Sequence, residues 1–143
     1  MKKALDAAMS EEITAPARDD SVPQLVEFVS AYAREMAFGE TRIGEIRLAL
    51  EEALGNIIRF ACPIGSEEIG ITAEAHEMGA IVLNISDTGI PFNMLAMSTF
   101  PEMVDAAAGQ TPSTSRMKRT IKDVEYRRDG AERKNILAWV ISR

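Results

Sequence analysis

Two short runs in this 143-residue chain combine residue types that do chemistry. In Leu48-Ala49-Leu50-Glu51-Glu52-Ala53-Leu54-Gly55-Asn56, Glu52 and Asn56 stand four apart. On a helix that spacing makes them neighbours on one face, turned away from the Leu50/Leu54 stripe. A carboxylate beside an amide can divide two tasks. The carboxylate takes a proton from a hydroxyl or water, and the amide oxygen holds a hard cation such as Mg²⁺ without adding charge. The same pair also suits a solvated helix face. The second run is Asn84-Ile85-Ser86-Asp87-Thr88-Gly89-Ile90-Pro91-Phe92. Gly89 lets backbone come close to a flat ligand, and Asp87 can accept a hydrogen bond from an exocyclic amine such as that of adenine. Asp-x-Gly-x-Pro is equally the composition of an ordinary turn.

These residues need elements to position them, and the chain supplies a clear order. Glu11 to Ala17 reads as a short strand. Asp20, Ser21 and Pro23 suit a helix start, after which Leu25, Phe28, Val29, Tyr32 and Met36 recur at helical spacing as far as Gly39. Thr41 suits the cap of a second helix, whose stripe is Ile43, Ile46, Leu50, Leu54, Ile57, Ile58 and Ala61, ended by Pro63. From Ile69 the period changes to two, and His76-Glu77-Met78-Gly79 turns the chain into Ala80 to Ser86, giving a hairpin. A long segment from Asp87 to about Ser115 carries a weak helical pattern between Pro101 and Ala108. A short helix at Arg116 to Ile121 and a closing hairpin, Val124 to Arg128 and Asn135 to Ser142, complete the chain. Helices grouped between antiparallel hairpins predict one α+β domain over residues 1–143, a two-layer sandwich with Ile43, Ile46, Leu50, Leu54 and Ile57 on a sheet containing Ile71, Ile81, Leu83, Ile85, Val124 and Leu137.

The two runs together, in this order and separated by a hairpin, resemble the Bergerat-fold ATPases of the histidine-kinase-like superfamily, and within it the bacterial anti-sigma-factor serine kinases. Glu52-Ala53-Leu54-Gly55-Asn56 is similar to that family's N box, and Asp87-Thr88-Gly89-Ile90-Pro91-Phe92-Asn93 to its first glycine box. Val124 to Gly130 followed by Asn135-Ile136-Leu137 is similar to its closing hairpin. The resemblance implies a mixed, mainly antiparallel sheet with helices on one face and a lid-like loop at about 92–115. It implies ATP and Mg as cofactors, Glu52 as general base toward a substrate serine, Asn56 as the magnesium ligand, and Asp87, Gly89 and Pro91 at the nucleotide. Glu52, Asn56, Asp87 and Gly89 are then expected to line one cavity. The implied partners are an antagonist (anti-anti-sigma) protein and a sigma factor or similar regulator, with a homodimer possible through the strand at Glu11 to Ala17.

One departure bears on activity. Where the family has a second glycine-rich box, this chain has Gln110-Thr111-Pro112-Ser113-Thr114-Ser115. Pro112 has no amide hydrogen to offer a phosphate, and the side chains of Thr111 and Ser113 crowd the approach. The alternative reading is therefore a partner-switching protein module that has lost efficient ATP binding and phosphoryl transfer. Phe60, near where relatives carry a histidine, is expected in the core.

Composition removes other classes. The one cysteine, Cys62, excludes an internal disulfide and a multi-cysteine zinc site, and His76, the one histidine, reads as an exposed turn residue. The net charge of −6 argues against nucleic acid or anionic lipid as a general partner. No apolar run is long enough for a membrane helix, and Met1-Lys2-Lys3-Ala4-Leu5 lacks a signal peptide's apolar region, so a cytoplasmic protein is expected. The charge is uneven: residues 1–100 hold seven Lys/Arg and sixteen Asp/Glu, whereas residues 101–143 hold nine and six. That basic end could meet phosphate or an acidic protein.

Overall fold

The computed structural model describes residues 10–99 and 113–143, the side chains of 97–99 excepted. The helical pattern expected at 101–108 and the positions 110–112 lie outside the described residues. After strand β1 (Ser10–Pro16) the chain forms helix α1 (Val22–Glu35), with Pro23 in its first turn. Ser21 takes the N-cap position, although its hydroxyl makes no cap bond. Leu25, Val26, Val29, Tyr32 and Ala33 form the buried stripe. The helix stops where the Met36 N–H bonds back to the carbonyls of Tyr32 and Ala33 and Ala37 turns left-handed at φ 66°.

Helix α2 (Glu40–Asn56) starts from Gly39, whose extended backbone takes the cap position expected for Thr41. The stripe predicted to run on to Ala61 does so, but not as α-helix. Residues Ile57–Ala61 form a wider π turn in which the Cys62 N–H reaches the Ile57 carbonyl, five residues back. Ile43, Ile46, Ala49, Leu50, Ala53, Leu54 and Ile57 are all buried, so the stripe survives the change of pitch.

The sheet holds β1, β2 (Glu68–Ala75), β3 (Ile81–Asp87), β4 (Asp123–Asp129) and β5 (Lys134–Ile141), in the order β1-β2-β3-β5-β4. Every pairing is antiparallel, where the resemblance implied a mixed sheet. The reason is topological. Strands β2–β3 and β4–β5 are joined as hairpins, β1 reaches β2 through α1 and α2, and residues 88–122 carry the chain to the outer strand β4 before β5 comes back beside β3. Helix α3 (Ser115–Thr120) lies within 88–122.

Alternation in the strands sends one set of side chains to the helices. Ile71 stands opposite Ile13 and Ile85, Leu83 opposite Ala73 and Trp139, and Ile85 opposite Leu137. The core residues expected from periodicity are buried except Phe28, Met36 and Ile58 on the helices and Val124 on the outer strand β4, which are partly buried. His76 is exposed in the β2–β3 turn, as expected. Among the described residues no helix is long and apolar enough to cross a membrane.

Two leucines on α2 test this packing. Leu54 is wholly buried, whereas Leu48 is 47% exposed. Leu54→Ala is expected to lower unfolding free energy by about 3 kcal/mol through lost burial and the cavity left behind, and Leu48→Ala by less than about 0.5 kcal/mol. Urea unfolding of the two variants makes the comparison.

Candidate functional site

The last turn of α2 carries Glu52 and Asn56 on one face, and both are already engaged. Glu52 accepts the Met117 N–H through one oxygen (2.8 Å) and the Ser113 hydroxyl through the other (3.1 Å). Asn56, only 4% exposed, donates its amide to the Ser113 carbonyl (2.7 Å) and makes a longer contact with the Met94 sulfur (3.8 Å). The pair thus grips the start of α3. Glu51, Glu52, Gly55, Asn56, Arg59 and Ser113 line a cavity of about 260 Å³. A carboxylate, a fixed amide, a guanidinium and a serine hydroxyl therefore face one space.

At the end of β3, Asp87 and Gly89 form a second, buried group. Asp87 is 3% exposed, and one of its oxygens accepts the Gly89 N–H (2.9 Å), the Asn135 amide (2.9 Å) and the Cys62 thiol (3.7 Å). Burial pushes the Asp87 carboxyl up from its ordinary value, against the opposing pull of Asn135, Gly89, Cys62 and the Arg128 charge. Burial, together with that same carboxylate, pushes the Cys62 thiol up to about 12. Asn135 uses its whole amide. It donates to Asp87 and to the Ile90 carbonyl (2.7 Å), and its oxygen accepts the Phe92 N–H (3.1 Å) and the Tyr126 hydroxyl (2.6 Å). Arg128 donates to the Gly89 carbonyl at 2.9 Å.

Gly89 allows a close backbone approach, but the backbone it approaches is the chain's own. A Cβ there would overlap the Ala61 carbonyl oxygen and lie 2.7 Å from its carbon and 2.8 Å from the Cys62 sulfur. The cavity lined by Glu52 and Asn56 does not reach Asp87 or Gly89. The four residues expected around one cavity are thus gathered in two adjoining groups.

The junction between them is continuous. The π turn runs from Asn56 to Cys62, the Ile90 N–H bonds to the Ala61 carbonyl (2.9 Å), and the rings of Phe60 and Phe92 stack 5.8 Å apart. Phe60 packs against the core, as expected. Pro91 is exposed between Ile90 and Phe92. Of the lid-like loop at 92–115, Met94–Thr99 form a 3₁₀ turn with Met94 buried, and Ser113 is the residue held by Glu52 and Asn56.

A family model described as a histidine kinase-like ATPase domain matches residues 15–139. The chain belongs to that family. Its N-box-like and glycine-box-like runs both fall within the matched span, as does the closing hairpin as far as Trp139. Among solved structures, the chain is similar to the crystal structure of the RsbU and RsbW domains of Rv1364c from Mycobacterium tuberculosis. The TM-score is 0.63 and the identity 11%, with 92% of this chain and 32% of that chain covered. The chain therefore spans about a third of that protein's length, and the likeness is one of fold. No curated protein sequence matches it.

Sequence reading missed Asn135, Cys62 and Arg128 as parts of the Asp87 group. A lone Asn at a strand start has no motif, although the β3–β5 register pairs Asn135 directly with Asp87.

The steric argument at Gly89 is testable against a second glycine. Gly89→Ala is expected to cost about 3 kcal/mol, because the Ala61 backbone must move. Gly44→Ala, in α2 with nothing within 4 Å of a new Cβ, is expected to stabilise by about 1 kcal/mol. Chemical denaturation of both variants supplies the contrast.

Proposed function

We propose that the protein is an ATP-binding regulatory serine kinase of the anti-sigma-factor type, which phosphorylates an antagonist protein and also binds a sigma factor or similar regulator. The observation that carries this reading is the serine hydroxyl held 3.1 Å from Glu52, one helical turn from Asn56. A carboxylate already placed to accept a serine proton is what a general base toward serine requires. The Met117 N–H fixes the other Glu52 oxygen and so orients the carboxylate.

The donor set fits Mg-ATP at both ends. With the Asn56 amide nitrogen committed to Ser113, the side chain's oxygen is left for a cation. Mg²⁺ is commonly held by one or two protein ligands plus phosphate oxygens. That suits a site where, among the described residues, no three His, Cys, Asp or Glu side chains form a metal cluster. Asp87 uses one oxygen for its three internal donors. Its other oxygen takes no hydrogen bond among the described residues and can accept an exocyclic amine of adenine, beside Gly89 and Pro91. Mg-ATP, when bound, supplies the transferable phosphoryl group and neutralises its charge.

A second reading, a partner-switching module without efficient phosphoryl transfer, is favoured by one specific contact set. Glu52 and Asn56 both hold Ser113, so the segment at the second glycine box uses the groups that the chemistry would need.

The two readings separate in two assays. Mg-ATP at 100 times its dissociation constant should stabilise the fold by about 2.7 kcal/mol in a thermal-shift titration. Glu52→Gln is expected to keep that shift and lose phosphorylation of the antagonist at least 100-fold, whereas Asp87→Ala is expected to lose the shift. Equal transfer rates for wild type and Glu52→Gln would remove the kinase reading and leave the module. Thr111→Gly with Ser113→Gly is expected to tighten ATP binding.

We also propose a homodimer. Strand β1 stands at one edge of the sheet, which supports its pairing with a second copy. Light scattering is expected to give twice the 15.7 kDa chain mass, and the single mass at high concentration would rule this out.

A further inference from the structure

The cavity between the first half of α2 and α3 belongs to neither group described above. It measures about 460 Å³ and is lined by Arg42, Glu45, Leu48, Arg116, Arg119, Thr120 and Lys122. Its floor is rigid. Arg42 donates to the carbonyls of Ser142 (2.9 Å) and Thr120 (3.2 Å) and pairs with Glu45 (2.9 Å), tying α2 to the ends of α3 and β5. Glu45, the one carboxylate of the lining, pairs with Arg42 through one oxygen. At the rim, Arg116, Arg119 and Lys122 are exposed and have no hydrogen bond or ion pair among the described residues. Beside them Leu48 is one of four large apolar side chains of the described surface that stay exposed.

We propose that this cavity is a docking site for an acidic segment of a protein partner, one carrying an apolar side chain that covers Leu48. Charge complementarity selects the occupant. Three free cations around a pinned fourth make a local positive field on a chain whose net charge is −6. A long polyanion would have to continue over acidic surface. Beyond the rim, the exposed positions of α2 include Glu40 and Glu51. A short acidic peptide segment stays within the basic rim, and its apolar residue removes Leu48 from water.

The site is also mechanically joined to the first group. Helix α3 presents Arg116 and Arg119 to the cavity and its Met117 N–H to Glu52, and Leu48 precedes Glu52 by one turn of α2. A partner seated here therefore touches the element that Glu52 and Asn56 hold. The inference does not depend on phosphoryl transfer, since either function proposed above requires a protein partner.

The test uses the whole chain and fluorescence anisotropy with a labelled peptide in which Glu residues flank a central Leu. Saturable binding is expected, weakening steeply as salt is raised because exposed charges are screened. Arg116→Glu with Arg119→Glu is expected to weaken it at least tenfold, as is Lys122→Glu combined with Leu48→Ala. Arg18→Glu, at the start of the segment before α1, is expected to leave it unchanged. All five positions are exposed, and unaltered melting temperatures verify folding. Absence of saturable binding, equal affinity in the charge-reversed variants, or tighter binding of single-stranded DNA than of the peptide would each overturn the proposal.

Discussion

A carboxylate enclosed by an apolar interior is costly unless donors surround it, and Asp87 sits 3% exposed at the inner end of β3. Much of the surrounding architecture meets that requirement. The β3–β5 register puts Asn135 opposite it, Gly89 turns its N–H back, and the π turn delivers the Cys62 thiol. Each donor places a further piece of chain. Asn135 also ties down Ile90, Phe92 and Tyr126, and Gly89 admits the Ala61 backbone that no side chain would tolerate. One buried charge thus joins β3, β4, β5, the end of α2 and the segment leading to Met94. An internal amide that uses all four of its hydrogen-bonding positions leaves little freedom for any of them.

The contacts at the other end of the site are of a different kind. Glu52 and Asn56 hold Ser113 and Met117 through exposed or half-exposed bonds, which exchange readily with water. The Asp87 group is built into the core, while the carboxylate-and-amide group meets a segment that can be released at small cost. Under the function proposed above, this division suits a site in which nucleotide recognition is permanent and access to the reacting end is conditional.

The long periodic elements were legible in the sequence. A stripe such as Ile43, Ile46, Leu50, Leu54 and Ile57 must be covered by another apolar layer, which the alternating strands supply, and both motif runs stand out by residue type. Less visible was what depends on pitch and distance. Nothing in Ile57-Ile58-Arg59-Phe60-Ala61 signals a five-residue hydrogen bond, since composition does not separate π from α turns. Thr41 has the chemistry of a cap, but Gly39 offers the extended backbone one step earlier, where α1 has just ended. Asn135 lies 48 residues from Asp87, and Cys62 lies 25 away. Contacts at such separations are set by sheet order, which local pattern does not contain. The close approach foreseen at Gly89 is met in this fold by the chain's own Ala61.

The strand order has a consequence for how the molecule is made. Strands β1, β2 and β3 pair in the order of synthesis, but the inner edge of β3 waits for β5, the last strand of the sheet. Until then a nascent chain presents Ile81, Leu83 and Ile85 beside an open row of backbone donors and acceptors, and Asp87 has no Asn135. Such an edge is the template on which incomplete sheets associate. Premature release before residue 134 would therefore leave a sticky three-stranded fragment rather than a smaller version of the fold.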